Sequence, residues 1–179
     1  VLSLLIPASP SLYDYYKRLH YATCFYYAEE QIIFSEHPDT DKSVRFVQAP
    51  LLTSKIIDFI QDEMRKRSCC IQHTQRDLED IYQAMQYGNG GFPLLTNNGK
   101  ISAVAITEHI DGILRINELF GTPQNRSMLL SLISSSEPDS IKIVRNYDKC
   151  DKPYGMARII NVKKFAESTA RINPEADYT

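Results

Sequence analysis

The chain lacks any cluster of basic residues dense enough to follow a phosphate backbone. Its 20 Lys and Arg are balanced by 22 Asp and Glu over 179 residues, a formal charge of -2, which argues against a nucleic-acid partner. Long apolar runs are absent as well: nothing approaches the roughly twenty residues that a membrane helix requires. The opening Val1-Leu2-Ser3-Leu4-Leu5-Ile6 has neither the basic flank nor the cleavage site of a signal peptide. A soluble, cytoplasmic protein with no membrane partner is the expectation. Cysteine is scarce, and Cys24, Cys69, Cys70 and Cys150 show no disulfide spacing, so all four read as free thiols. Cys70 and His73 have a spacing that zinc could use, but a tetrahedral site needs four ligands and no second pair is evident. No metal is expected. What is present is 43% hydrophobic residues, enough for one full core and part of a second.

The stretch from Phe92 to Arg145 organises the rest. Phe92 to Thr96 is an apolar strand, Asn97-Asn98-Gly99-Lys100 carries the Asn-Gly signal of a hairpin turn, and Ile101 to Glu108 is rich in β-branched residues. Asp111-Gly112 makes a second turn and Ile113 to Phe120 runs back as a third strand. The period then changes to that of a helix. Thr122 is a good N-cap, Pro123 suits the first helical position, and Met128, Leu129, Leu132 and Ile133 mark one face. Glu137-Pro138-Asp139-Ser140 ends that helix, and Ile141 to Val144 forms another strand.

Before this core, Val1 to Ile6 has the pattern of a buried strand. A helix from Leu12 to Leu19 follows, started by Ser9-Pro10 or by Ser11 with Asp14 as a capping-box-like pair. Leu12, Tyr15, Tyr16 and Leu19 share its apolar stripe. Thr23 to Phe34 reads as strand interrupted at Glu29-Glu30, and Ser35 to Lys42 as a linker or long loop. Val44 to Val47 is a short strand. Leu52, Ile56, Phe59, Ile60 and Met64 mark a helix whose end, Arg65-Lys66-Arg67, reads as a solvated basic terminus. Thr74 with Asp77 caps a second helix that buries Leu78, Ile81, Tyr82 and Met85. Gly88-Asn89-Gly90-Gly91 stops it; since this run follows a helix and precedes a strand, it reads as a turn in preference to a phosphate cradle. Gly155 to Val162 reads as the closing strand.

From Val44 onward the order is strand, two helices, three-stranded meander, helix, strand and closing strand. It resembles the GNAT superfamily of acetyl-CoA-dependent N-acyltransferases, which implies an α/β (α+β) fold with a mostly antiparallel mixed sheet flanked by helices. Residues 1–40 resemble the end of the same kind of unit. There, Tyr16-Lys17-Arg18-Leu19-His20-Tyr21 is similar to the family's tyrosine, charged pair, leucine, glycine, aromatic signature. His20 stands in the glycine place, a departure that puts the local turn in question, although histidine visits positive φ more than most residues. Together with Met156 to Val162 the layout resembles the tandem Eis-like acetyltransferases. It implies a first unit ending at residue 40, a second over 43–165, and a linker over 166–179 leading to a sterol-carrier-like domain.

The resemblance also implies roles. Tyr16 would be the general acid that protonates the departing coenzyme A thiolate, as a phenol that keeps its proton at neutral pH can do. Ser9 would lie beside the pantetheine arm of acetyl-CoA, and an amine would be the acceptor. Without the resemblance, a tyrosine on an apolar stripe reads as packing. The family's pyrophosphate turn would precede Val1 in the first unit. Its counterpart in the second, Phe120 to Arg126, has one glycine and loses a donor at Pro123. The stretch from Asn146 to Pro153 is polar where an active unit would carry its helix and tyrosine. The second unit is therefore expected to be non-catalytic, shaping a cleft or holding a homo-oligomer together. The aromatic group Tyr13, Tyr15, Tyr16, Tyr21, Phe25, Tyr26 and Tyr27 would line an acceptor cleft or pack the two units together. The alternative is a non-catalytic acyltransferase-like module for binding or oligomerisation.

Overall fold

The computed structural model describes residues 2–32, 44–67, 72–137, 141–146 and 151–172. The expected linker Ser35 to Lys42, Cys69, Cys70, Cys150 and Pro138 to Ser140 lie outside them. The elements are β1 (Leu2–Leu5), α1 (Ser11–Arg18), β2 (Ala22–Ile32), β3 (Val44–Gln48), α2 (Ser54–Arg65), α3 (Gln75–Tyr87), β4 (Pro93–Asn97), β5 (Lys100–Ile110), β6 (Ile113–Gly121), α4 (Pro123–Ser136), β7 (Ile141–Asn146), β8 (Lys152–Ile159) and α5 (Val162–Ile172). They fall into two compact units, a terminal one of residues 1–28 with 146–179 and a central one of residues 29–145.

In the central unit the sheet order is β7-β6-β5-β4-β3. All pairs are antiparallel except β6 with β7, which α4 joins as a parallel crossover. Both hairpin turns form where the local chemistry asks for them: Asn98 and Gly99 have φ of 49° and 73°, Asp111 and Gly112 of 53° and 76°. Paired positive φ values match the twist of the flanking strands. Thr122 accepts a hydrogen bond from Asn125 N–H with Pro123 at the first helical position. Thr74 and Asp77 form a complete capping box.

Helices cover both faces of β5, which is why Ala103 to Ile106 is an unbroken apolar run. Val104 and Ile106 pack with Ile60, Met64, Leu78, Phe92 and Phe120 under α2 and α3. Ala103 and Ala105 pack with Leu114, Ile116, Leu129 and Ile133 under α4. Along β6, Leu114 and Ile116 face one core while Phe120, also even-numbered, faces the other. The cause is a bulge at Asn117: Thr107 pairs with Ile116 but Ile106 with Glu118, and the extra residue reverses the alternation.

The glycine run is a turn, and one member is sterically required. A Cβ on Gly90 would lie 2.0 Å from the Thr107 carbonyl oxygen and 2.6 Å from Glu108 Cα, both backbone atoms. Gly90→Ala must push the turn off β5. A loss of about 1–3 kcal/mol is expected, read as a lowered thermal midpoint; an unchanged midpoint would contradict the close approach.

The terminal unit holds β1-β8-β2, with β8 antiparallel to both neighbours. Three local expectations change here. β2 runs unbroken to Ile32 through Glu29-Glu30; Glu29 is carried by an ion pair to Arg115 at 3.2 Å in the central unit. Ser11 and Asp14 make no capping box. α1 has no side-chain cap, because Ser11 Oγ turns to Ser9 Oγ at 3.0 Å and Asp14 pairs with Lys17 at 3.3 Å. The closing strand ends at Ile159, not Val162. Asn161 caps a helix instead, its side-chain oxygen accepting from Lys164 N–H at 2.9 Å and its carbonyl from Phe165 N–H at 3.0 Å. No described helix is long and apolar enough to cross a membrane.

Candidate functional site

Tyr16 lies half-buried on α1. Its ring meets Tyr15 and Tyr21 edge-on at 5.2 and 5.8 Å. Its carbonyl accepts from the N–H groups of both Leu19 and Tyr21, at 3.0 and 3.1 Å. This closure needs a left-handed residue after the helix, and His20 supplies it with φ of 64°. Tyr21 in turn shares a 2.7 Å hydrogen bond with Ser3 of β1. The signature run therefore folds back onto its own strand, with the Tyr16 phenol held between two aromatic neighbours.

Ser9 sits in the loop between β1 and α1 and lines a groove of about 690 Å³ together with Tyr13, Lys17, Tyr26, Tyr27 and Lys152. Tyr16 is not part of its wall, so the two candidates stand on either side of the first turn of α1 and do not share this cleft. Of the aromatic group, Tyr13, Tyr26 and Tyr27 do line it. Tyr13 donates to the Pro153 carbonyl at 3.0 Å. Burial first, then the neighbouring Tyr27 and Tyr154 phenols, pushes its pKa above the ordinary value, which keeps it a neutral donor. Lys152 and Pro153 reach the groove through β8, about 140 residues from the loop in sequence, and no local motif announces them.

The central unit has its own candidate anion seat, the turn from β6 into α4. Gly121 has φ of 119°, and a Cβ there would lie 2.6 Å from the Ser102 carbonyl oxygen, so the turn is pressed against β5. Two of its donors are spent internally. Gly121 N–H donates to Glu63 Oε2 at 3.2 Å, Asn125 N–H to Thr122 Oγ1 at 3.3 Å, and Pro123 has none. Glu63 is delivered by the last turn of α2, its other oxygen bound to Lys66. The basic end of α2 is not simply solvated: Arg67 donates to Glu118 at 2.8 Å and to the Leu119 carbonyl at 2.7 Å, with its guanidinium 4.6 Å from the centre of the Phe120 ring. Glu63 and Arg67 thus clamp α2 to the end of β6. A phosphate approaching the Gly121 N–H would meet the Glu63 carboxylate, a like charge that Lys66 offsets in part.

Among the described residues no group of three or more His, Cys, Asp or Glu is placed to hold a metal ion. His73 is described and Cys70 is not.

No protein-family profile matches the chain, and no curated protein sequence does. Solved structures do. A conserved protein of unknown function from Enterococcus faecalis V583, named a probable N-acyltransferase, superposes with a TM-score of 0.65 at 20% identity, over 92% of this chain and 46% of that one. A GCN5-related N-acetyltransferase from Anabaena variabilis ATCC 29413 gives 0.64 at 15% identity, over 90% and 46%. One from Sphaerobacter thermophilus gives 0.50 at 9% identity, over 88% and 59%. The chain spans about half the length of the first two structures. With its mostly antiparallel mixed sheet and the helix crossover between β6 and β7, the chain has the GCN5-related N-acetyltransferase fold.

Proposed function

We propose that the chain is the middle part of an acetyl-CoA-dependent N-acetyltransferase of tandem, Eis-like layout, acting on an amine. Residues 1–40 end a first, catalytic unit. Residues 43–165 form a second, non-catalytic unit that shapes the cleft or holds a homo-oligomer. Residues 166–179 lead to a sterol-carrier-like domain, and the protein works in the cytoplasm. Coverage of about half of two longer structures of this fold supports the layout.

The single observation that carries the reading is the hydrogen bond from Gly121 N–H to Glu63. An acyl-CoA site needs free backbone donors for the pyrophosphate, and this turn gives its glycine N–H to an internal carboxylate. Catalysis then rests with the first unit, where Ser9 borders the pantetheine arm and Tyr16 returns a proton to the thiolate as the amine takes the acetyl group. The β1–α1 groove, with its tyrosines and two lysines, is a recess beside Ser9 that either substrate could enter.

The test is release of coenzyme A thiol from acetyl-CoA in the presence of an amine, run on this chain and on the longer protein that contains it. Release by the longer protein alone is expected; release by this chain alone would place an active site in the second unit. The same Glu63 bond also favours a non-catalytic binding or oligomerisation module, which is the correct reading if the longer protein releases no thiol with any amine.

A further inference from the structure

His109 of β5 stands outside both candidate sites, and its two ring nitrogens face acceptors. Nδ1 lies 2.7 Å from the Asn89 carbonyl oxygen and Nε2 2.8 Å from Glu137 Oε2. A neutral imidazole has one N–H and can satisfy only one of them. The arrangement fits the imidazolium, with a proton on each nitrogen.

The two acceptors belong to separate pieces of the central unit. Asn89, at φ of 51°, is the left-handed corner of the turn that leaves α3. That turn is already sewn to β5 by backbone bonds, His109 N–H to the Gly88 carbonyl at 3.2 Å and the reciprocal Gly91–Thr107 pair at 2.9 Å. Glu137 is the C-terminal cap of α4, a helix with no basic residue in its last turn. Its positive partners come from the sheet instead. Lys142 of β7, only 4% exposed, donates its ammonium to the Glu137 carbonyl, and His109 takes the carboxylate. The register places His109, Leu114 and Lys142 in one row across β5, β6 and β7. Among the described residues, Glu137 from α4 and Lys142 from β7 are thus the charged groups on His109's side. Glu108 and Arg115 point to the other face by strand alternation, where they engage Asn117 and Glu29.

We propose that His109 is a proton-operated latch: as the imidazolium it ties the α3–β4 turn to the C-terminal end of α4, and on losing one proton to solvent it releases one of the two. The positive charge also complements the carbonyl end of the α4 dipole, so release weakens the hold on the C-terminal end of α4.

The Glu137 hydrogen bond, opposed by burial and aided by the Asn89 carbonyl, raises the His109 pKa above its ordinary 6.5. The sign follows. Protonation is favoured in the folded state, so the latch contributes fully below pH 6.5 and loses its contribution as pH rises through the higher folded value.

The experiment is an NMR pH titration of the His109 ring, with hydrogen exchange of the Gly90 and His109 amides corrected for intrinsic base catalysis. The His109 midpoint is expected above 6.5, with exchange of both amides faster by about tenfold or more across it, as losing a charge-assisted bond implies. In His109→Gln that step should vanish. Glu137→Gln, which keeps the ring, should lower its midpoint. A midpoint at or below 6.5, or amide protection that does not change across the titration, would overturn the latch; both readings come from the unmodified chain and need no variant to fold.

Discussion

Tyr16→Phe in the longer protein is expected to lower kcat for acetyl transfer by about 10²–10⁴-fold, the usual range for removing a positioned general acid, while KM for acetyl-CoA changes little. The substitution deletes one oxygen and keeps the ring. The edge-on contacts with Tyr15 and Tyr21 survive, and so do the two backbone bonds to the Tyr16 carbonyl. Loss of fold is therefore not an escape route for the prediction. A phenol matters here because the departing thiolate must gain a proton, and a group that departs without one raises the barrier directly. Steady-state kinetics at neutral pH read the effect. Unchanged turnover would remove Tyr16 from the chemistry and leave it a packing residue of α1.

The second large effect is on stability. Phe92→Ala is expected to cost about 3–5 kcal/mol, the loss typical of emptying a buried aromatic site. Phe92 is fully buried and stacks on Tyr82 with ring centres 5.4 Å apart. It lies among Ile60, Leu78, Val104 and Phe120, which come from α2, α3, β5 and β6. Four elements therefore line the cavity, and none can close it without moving away from another neighbour. Chemical denaturation should show a lower midpoint with an unchanged slope. A loss under about 1 kcal/mol, which the same cavity argument does not allow, would mean that this cluster is not a close-packed core.

What was legible in the sequence is what depends on neighbours along the chain. The Asn98-Gly99 and Asp111-Gly112 turns follow from which residues tolerate positive φ, whereas at His20, where the sequence left the local turn open, the structure keeps a left-handed corner. The caps at Thr74 and Thr122 are spelled out within three residues. The start of α5 had such a signal too, in Asn161, but the apolar Ile159-Ile160 pair before it hid the change of period. Contacts distant in sequence left no trace. Glu63 finds Gly121 58 residues away, and a carboxylate on the polar side of an amphipathic helix looks the same whether it meets water or a backbone N–H. Lys142 breaks the apolar pattern of Ile141, Ile143 and Val144 and is nevertheless buried, because the α4 terminus supplies an acceptor. At the candidate site, the loop holding Ser9 and the helix holding Tyr16 were both anticipated. That Ser9 faces the groove and Tyr16 does not depends on where β8 lies, which no local pattern sets.

The central claim is that the turn at Gly121 is closed to acyl-CoA by its own chain, and that binding belongs to the first unit of a longer protein. Calorimetric titration of acetyl-CoA into this chain and into the longer protein, side by side, tests it most directly. Saturable heat is predicted for the longer protein and none for this chain. Binding by this chain alone, lost when the turn is altered by Gly121→Val, would contradict the account and make the second unit an acyl-CoA site.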